Sequence, residues 1–388
     1  MRIAIPIHSF EPGGVERVAL RLAQHWQAQG QQVVIVLGRH DGPVKKQAPQ
    51  LDYRCFPQPL PTAGWETIWM IWSLYRFLVV ERVDVLFCPG NTYTIVCVMM
   101  RLLLGERCPP VLVKISNDLE RQDLPRLIGW LYRLWLEFQG FFLDHFVALA
   151  EPMLPQMIDK LGIAAEKATV ITDPALGADE RIRLGANRVQ RRNGACRFLS
   201  VGRLVAQKNH ALLIEAFALH AWPEDRLVIA GEGPERRALE YVIHRRGLEG
   251  RVRLAGHCND VASLYGQADV FVLSSAYEGV PAVIVEALAA GLPVAATDCC
   301  ASMNWLLHDG QFGIAVPPND ANALGIAMNA ARLLAPSRQD MADFAARFSV
   351  EHAAGAYLEA MEPLCAMRSD KQYQRMCQQM RDFQGHGV

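Results

Sequence analysis

The sequence lacks the marks of several large protein classes. Its 40 acidic and 39 basic residues nearly cancel, so the net charge offers no attraction for nucleic acid. Its 10 cysteines form no CxxC pair and no zinc-type spacing with histidine, which favours reduced thiols. The hydrophobic stretches 68–80 and 93–104 are interrupted by Arg76 and Arg101 and are too short for a bilayer span, and the apolar run after Met1 is too short for a secretory signal. We therefore expect a cytoplasmic protein with neither a transmembrane helix nor a nucleic-acid partner.

What the chain does contain is enough apolar sequence for two domains, since 51% of its 388 residues are hydrophobic. Short β-branched runs alternate with helical patterns, which indicates parallel βαβ units. The first series of runs is 2–7, 32–37, 84–88, 111–115 and 145–149, and the second begins at Arg197 and continues with 226–230, 251–255, 270–273, 293–297 and 313–316. The sequence therefore predicts an α/β fold of two doubly wound, Rossmann-like domains that face one another across a cleft.

Two glycine motifs follow predicted strands. Gly13 and Gly14 come just after the first strand and open a helix, where backbone amides can approach a ligand closely. The run Gly231-Glu232-Gly233-Pro234 follows a strand of the second series and allows a flat base or a phosphate to approach. An ordinary tight turn explains either motif equally well.

Two cations stand five residues apart in the segment 200–209, where another strand ends. Arg203 offers a planar fork to phosphate oxygens and Lys208 offers a point charge, so together they suit a diphosphate. Both would also neutralise the charge that develops on a departing nucleotide. The alternative is a pair of solvated surface cations.

Two carboxylates, Glu278 and Glu286, stand eight residues apart around the start of an apolar helix. Carboxylates in a loop of this kind bind ribose and sugar hydroxyls through charge-assisted hydrogen bonds. The alternative makes Glu278 a charge favoured by the helix dipole and Glu286 an exposed helical residue.

Together these motifs resemble the retaining glycosyltransferases of the GT-B type, in the large bacterial group 1 of glycosyltransferase family 4. The resemblance is strongest over 198–316, where the motifs and the run Gly291-Leu292-Pro293-Val294 appear in the order and spacing of the family. The amino-terminal half matches more loosely, through Gly13, Gly14 and the placement of its strands.

The resemblance implies a role for each site residue. Gly202, Arg203 and Lys208 would hold the diphosphate of a nucleotide-sugar donor, Gly233 would lie beside it, and Gly14 would face the phosphates from the other domain. Glu286 would bind the ribose, and Glu278 with the backbone of Gly279, Val280 and Pro281 would bind the transferred sugar and its phosphate. The catalytic set would be Asp118, Arg203, Lys208 and Glu278. No cofactor and no metal is expected, and the sequence has no Asp-x-Asp motif.

The domain limits follow mainly from composition, because 173–195 is polar and basic without apolar periodicity and the end of the sequence is polar and rich in glutamine; only the terminal helix is implied by the resemblance. Residues 1–172 would form the acceptor-side domain, 173–195 the interdomain connection and 196–340 the nucleotide-sugar domain. A terminal helix over 341–366 would cross back to the first domain, and 367–388 would form a polar tail.

Two positions depart from the family pattern, and both bear on the acceptor. Where many members have a histidine after the strand that precedes the cleft, this chain reads Ser116-Asn117-Asp118, so Asp118 or Asn117 would take that position. Where members have asparagine before proline at the domain crossing, this chain has Asp173. Asp118 would orient the sugar or the acceptor in a front-face attack; alternatively, the segment simply caps a helix.

Aromatic residues are concentrated in two segments. Trp65, Trp69 and Trp72 follow helical spacing, and a second segment mixes Trp130 and Trp135 with phenylalanine and arginine, as interfacial helices do. The segments either contact the inner membrane leaflet, in which case the acceptor is a lipid-linked sugar or a growing glycolipid, or they fill the amino-terminal core.

The resemblance implies transfer of a sugar from a nucleotide diphosphate to a glycan or lipid-linked acceptor, in cell-surface polysaccharide or glycolipid synthesis. Two alternatives stay open. A nucleotide-sugar epimerase would share the architecture, but the sequence shows no clear acid–base set for the sugar ring. A donor-binding subunit without catalytic activity is the other, and the intact set of cations and carboxylates argues against it.

Overall fold

The computed structural model describes residues 1–11, 13–42, 45, 48, 50–58, 64–117, 119, 125–186, 194–258 and 260–366. The chain divides into two compact units. Among the described residues, the first unit comprises Met1–Leu149, Leu154–Ile171 and 351–366, and the second comprises Ala150–Met153 and Thr172–Val350. The predicted polar tail over 367–388 lies outside the described residues.

The first unit is a parallel sheet of seven strands with helices between them. The strands are β1 (Arg2–Ile7), β2 (Gln32–Leu37), β3 (Asp52–Cys55), β4 (Val85–Cys88), β5 (Val111–Lys114), β6 (His145–Ala148) and β7 (Ala168–Val170), in the order β3-β2-β1-β4-β5-β6-β7. The helices are α1 (Gly14–Ala28), α2 (Glu66–Val80), α3 (Thr94–Leu104), α4 (Arg126–Phe142) and α5 (Met153–Leu161). The inner strands are buried on both faces, as their continuous apolar runs require.

The second unit repeats this plan with six parallel strands. Its strands are β8 (Arg197–Val201), β9 (Arg226–Ala230), β10 (Val252–Gly256), β11 (Val270–Leu273), β12 (Val294–Thr297) and β13 (Gly313–Val316), in the order β10-β9-β8-β11-β12-β13. Its helices are α6 (Ala178–Ala186), α7 (His210–His220), α8 (Arg236–Arg245), α9 (Val261–Gln267), α10 (Ala282–Ala289), α11 (Met303–Leu306), α12 (Ala321–Ala331) and α13 (Arg338–Ala346). The predicted α/β class with two doubly wound, Rossmann-like sheets is confirmed.

The end of the chain differs from the single helix expected over 341–366. Helix α13 ends at Ala346, and a second helix, α14 (350–366), follows a short break in which Ser349 bridges to Leu176. Helix α14 packs on the first unit, where Tyr357 is fully buried and the indole of Trp26 donates to the carbonyl of Ala354 at 2.9 Å.

The segment 173–195, predicted as the interdomain connection, contains a helix. Its described residues belong to the second unit, and α6 packs against α9 and α10. Leu184 alone is buried among the residues of this helix, so the sequence carries no apolar period for it. Residues 187–193 lie outside the described part of the chain.

No helix in the described residues is long and apolar enough to span a membrane. The nine cysteines within those residues form no disulfide with one another, and Cys377 lies outside them.

Candidate functional site

The predicted site residues of the second unit gather where its strand order reverses. Strands β8 and β11 are neighbours at the centre of this sheet, although β9 and β10 come between them in the chain. The chain turns away in opposite directions after β8 and β11, which leaves a crevice at their carboxyl ends where doubly wound sheets bind ligands. The loop after β8 carries Arg203 and Lys208, and the loop after β11 carries Glu278.

Lys208 and Glu278 form an ion pair between these two loops. The ammonium of Lys208 lies 2.5 Å from Oε1 of Glu278, and the hydroxyl of Ser275 donates to the same oxygen at 2.7 Å. The carboxylate is 8% exposed, so it is held mainly by these two donors rather than by water. Both contacts are made to Oε1, so Oε2 can accept a hydrogen bond from a ligand hydroxyl.

Further hydrogen bonds fix the two loops against each other. The hydroxyl of Ser274 donates to the carbonyl of Lys208 at 2.9 Å, and the side-chain amide of Gln207 donates to the carbonyl of Tyr277 at 2.9 Å. The amide of Ala276 donates to the carbonyl of Gln207 at 2.8 Å. The pair of Lys208 with its carboxylate partner is therefore held in place before any ligand binds.

Arg203 is the second cation of the loop after β8. Its side chain is exposed, and no described residue forms an ion pair with it. A guanidinium in this state can bind an incoming anion without giving up an existing partner.

Glu286 is buried, contrary to the alternative in which it is an exposed helical residue. It lies in α10, is 7% exposed, and accepts a hydrogen bond of 2.8 Å from the hydroxyl of Tyr265 in α9. This hydrogen bond fixes the position of the carboxylate at one of its two oxygens.

The glycines of the second unit permit close backbone packing around these loops. A Cβ on Gly233 would lie 2.3 Å from the carbonyl oxygen of Leu204, and one on Gly231, whose φ is +147°, would lie 1.9 Å from that of Gly202. Either side chain would push the loop that carries Arg203 out of position. A Cβ on Gly202 itself would make only ordinary contact, at 3.5 Å, with the side chain of Lys208.

The loop 278–281 leads into the amino terminus of α10. The amide of Glu278 donates to the carbonyl of Cys299 at 3.1 Å, and the hydroxyl of Ser302 donates to that of Gly279 at 2.8 Å. Gly279, Val280 and Pro281 are all buried, and Pro281 caps the helix. Backbone amides at such a helix start favour negative charge.

His210 begins α7, two residues after Lys208. Its ring is 1% exposed, and burial, with a smaller contribution from the charge of Lys208, lowers its pKa to about 4. The Nδ1 atom has no hydrogen-bond partner within the described residues. The ring is therefore neutral at pH 7 and adds no positive charge to the site.

The buried ring of His210 should make the stability of the protein depend on pH. The unfolded chain takes up a proton near pH 6.5 and the folded chain only near pH 4, so the free energy of unfolding should fall as the pH is lowered between these values, by up to about 3 kcal/mol. Urea unfolding at pH 7.0 and 5.0 measures this difference. The difference in the free energy of unfolding between the two pH values should shrink in His210→Phe. It should persist in His244→Phe, a change at an exposed position. An equal difference in both variants would contradict the attribution of the pH dependence to His210.

The predicted residues of the first unit lie near the carboxyl ends of its strands. Gly14 is exposed and begins α1, with nothing within 4 Å of the place a Cβ would take. Ser116 follows β5, and its amide donates to the side chain of Asn91 at 2.7 Å. Asn117 is exposed, and Asp118 lies outside the described residues.

Several supporting residues of the site escaped the sequence reasoning. Tyr265 binds Glu286 from a separate helix, 21 residues earlier in the chain, and no local pattern connects the two. Ser275 had a usable signal, because polar residues directly after a buried strand lie at the ligand edge of a parallel sheet.

Two family models match most of the chain. Residues 164–348 match the glycosyl transferases of group 1, and residues 12–173 match glycosyltransferase family 4.

Curated relatives match over a shorter stretch. The lipopolysaccharide core biosynthesis glycosyltransferase of Rhizobium meliloti is 37% identical over 130 residues, which are 34% of this chain and 37% of that protein. The N-acetylgalactosamine-N,N'-diacetylbacillosaminyl-diphospho-undecaprenol 4-alpha-N-acetylgalactosaminyltransferase of Campylobacter jejuni is 36% identical over 126 residues. These residues are 32% of this chain and 34% of that protein. The matched stretch therefore spans about a third of the length of these relatives.

Solved structures match over nearly the whole chain. The lipopolysaccharide outer core galactosyltransferase WaaB has a TM-score of 0.72 at 17% identity, covering 93% of this chain and 99% of its own. Anabaena HepE, solved with UDP and glucose, has a TM-score of 0.71 at 20% identity, with coverage of 93% and 99%. At these identities the likeness establishes the fold.

Proposed function

Because the chain belongs to the group 1 glycosyltransferases of family 4, we propose that it transfers a sugar from a nucleotide diphosphate donor to a glycan or lipid-linked acceptor. Transfer proceeds with retention of anomeric configuration and without a metal ion. The product belongs to a cell-surface polysaccharide or glycolipid. The contact of 2.5 Å between Lys208 and Glu278 at the switch point of the second sheet carries the proposal, because it sets a cation for phosphate beside a carboxylate for sugar hydroxyls.

The donor binds through charges of both signs. Arg203 and Lys208 take the diphosphate, supported by the backbone at Gly202 and by the close-packed turn at Gly233. Glu286, steadied by Tyr265, accepts hydrogen bonds from the ribose diol. The Oε2 atom of Glu278 and the amides of the loop that follows it hold the transferred sugar.

The reaction needs stabilisation of the negative charge that grows on the β-phosphate as the glycosidic bond breaks. The positive charges of Lys208, which is held by Glu278, and of Arg203 neutralise it, so no metal is required for that purpose. The acceptor oxygen bonds to the anomeric carbon on the face from which the diphosphate departs, which gives retention, and an oxygen of the departing β-phosphate takes the proton of the acceptor hydroxyl. From the first unit, Gly14 contributes to the phosphate site, and Asp118 orients the sugar or the acceptor.

The proposed pathway rests on the named activities of relatives. The Rhizobium meliloti relative is named for lipopolysaccharide core biosynthesis, and the Campylobacter jejuni relative acts on a sugar carried by diphospho-undecaprenol. HepE was solved with UDP and glucose, which favours a uridine diphosphate sugar as donor. With an acceptor carried by a lipid, the proposed reaction takes place at the cytoplasmic face of the membrane.

The proposal is tested by incubating the purified chain with UDP-, GDP- and ADP-sugars, with and without bacterial lipid extract, and measuring released nucleoside diphosphate. Release from one donor, raised by the extract and lost in Glu286→Ala, is the expected result. Conversion of the donor to its epimer without release would show an isomerase. Tight donor binding without turnover under any extract would show a non-catalytic subunit.

The hydrogen bond from Tyr265 should matter for donor binding more than for turnover. Tyr265→Phe removes one donor to a buried carboxylate, and we expect the KM for the donor to rise about tenfold with a smaller change in kcat. Tyr241→Phe, at an exposed position of α8, is the matched control and should change neither constant. A fall in kcat at constant KM would instead place Glu286 at the reacting centre.

A further inference from the structure

Helix α4 presents large apolar side chains to the solvent. Its inward face is formed by Leu136, Gln139 and Gly140, which are buried. Its outward apolar side chains are between 42% and 80% exposed: Leu127, Ile128, Trp130, Leu131, Leu134, Phe138 and Phe141. Positions 127, 130, 134, 138 and 141 repeat every three or four residues, so they form one stripe along the helix. This pattern is the reverse of an ordinary surface helix, whose outward face is polar.

The adjoining helices continue the apolar surface. Helix α3 packs against both α2 and α4. Exposed apolar side chains on these two neighbours are Ile68, Trp72, Val79 and Val80 on α2, and Ile95, Leu102 and Leu103 on α3. Trp69, by contrast, is buried and donates to the carbonyl of Gly38 at 2.8 Å, so it belongs to the core. We call the exposed apolar residues of α2, α3 and α4 the apolar face.

Basic residues outnumber acidic ones around the apolar face. The helices α2, α3 and α4, with the turn 105–107 after α3, contain the arginines 76, 101, 107, 126 and 133 and the glutamates 66, 106 and 137. Arg101 is paired with Asp144, just after α4, so the other four arginines face three glutamates. Arg76 lies over the ring of Trp72, 5.8 Å from its centroid, and Arg133 is exposed beside the stripe of α4. An aromatic and leucine stripe flanked by arginine is typical of helices that lie in a membrane interface.

The charge balance favours a lipid surface over a second copy of this chain. A twofold dimer through the apolar face would bring its arginine-rich surroundings against an identical arginine-rich surface. An anionic leaflet attracts the same arginines and takes up the apolar side chains. A helix lying flat on the leaflet buries its apolar side to the boundary of headgroups and acyl chains.

We propose that the apolar face docks on an anionic lipid bilayer, with α4 parallel to the membrane plane. Helix α4 follows β5 in the chain after the segment that contains Ser116 and Asn117, so docking holds the carboxyl end of β5 near the headgroups. The further claim that this surface supplies a lipid-linked acceptor rests on the proposed function. The claim that the apolar face binds lipid does not depend on it.

Flotation of the full chain with vesicles tests the inference, using phosphatidylglycerol with phosphatidylcholine in one arm and phosphatidylcholine alone in the other. The wild type should float with the anionic vesicles and bind the neutral ones several-fold less, and high salt should reduce the difference. The double variant Trp130→Ser with Phe141→Ser should lower the partition coefficient at least tenfold, since each ring contributes apolar area. The double variant Leu219→Ser with Leu333→Ser, at exposed positions of the second unit, should float as the wild type does.

Three results would overturn the inference. The first is a wild type that binds neither kind of vesicle. The second is an equal loss of vesicle binding in both double variants. The third is a dimer, seen by light scattering, that dissociates only in the Trp130 and Phe141 variant. Unchanged thermal melting in both double variants shows that the substituted proteins are folded. Nucleotide release from the donor is measured without vesicles, so a wild type that does not float but still releases nucleotide overturns the docking and leaves the proposed function standing.

Discussion

Replacing Lys208 with methionine should lower the rate of sugar transfer by a factor on the order of 10²–10³. The variant removes the cation that neutralises the leaving diphosphate, and it keeps a side chain of similar length. It should also destabilise the second unit by about 2 kcal/mol, because Glu278 then remains a buried carboxylate without its cation. Stopped assays of nucleoside diphosphate release and urea unfolding measure the two effects.

A second substitution separates the two effects. Adding Glu278→Gln to Lys208→Met removes the uncompensated charge, so stability should recover while activity stays low. Lys160→Met, which breaks a pair of 3.4 Å with Asp159 in the first unit, is the matched control and should retain full activity. Activity that recovered together with stability would reduce Lys208 to a structural residue.

Gly233→Ala should destabilise the second unit and weaken donor binding together. The new Cβ would lie 2.3 Å from the carbonyl oxygen of Leu204, so the backbone next to Arg203 must move. We expect a loss of about 2 kcal/mol and a fall in Tm of about 6 °C. The Kd for the donor should rise more than tenfold, because one cation of the diphosphate site is displaced.

Gly250→Ala is the control for Gly233→Ala, since that position has open space and an ordinary φ. Its Tm should stay the same or rise slightly, because alanine restricts the unfolded chain. If Gly233→Ala weakened donor binding with no loss of stability, Gly233 would contact the ligand directly instead of packing the loop.

The strands of both sheets that are buried on two faces could be predicted from the sequence, because their apolar runs are continuous. The edge strands β3 and β7 could not, because their side chains are only partly buried or exposed, and Asp52, Tyr53 and Arg54 carry no apolar alternation. Helix α6 escaped for the same reason. Hydrophobic periodicity therefore predicts the helices and strands that bury much apolar area and misses those that bury little.

Arg203, Lys208 and Glu278 could be proposed from the sequence because each carries charge and lies in a loop that follows a strand. Their pairing could not: the contact of Lys208 with Glu278 joins residues 70 positions apart, and it depends on β8 and β11 lying side by side. The burial of Glu286 depends on Tyr265 in another helix. Trp130 is exposed whereas Trp69 is buried, and the difference depends on which face of each helix packs against the sheet. The sequence could not show this, because both faces of these segments are apolar.

Calorimetric titration of UDP, GDP and ADP into the purified chain tests the central claim, that the loops after β8 and β11 bind a nucleoside diphosphate. One nucleotide should bind, and Arg203→Ala should weaken it at least tenfold, while Arg253→Ala, an exposed arginine within β10, should leave the Kd unchanged. No binding of any of the three, or an equal loss in both arginine variants, would contradict the account.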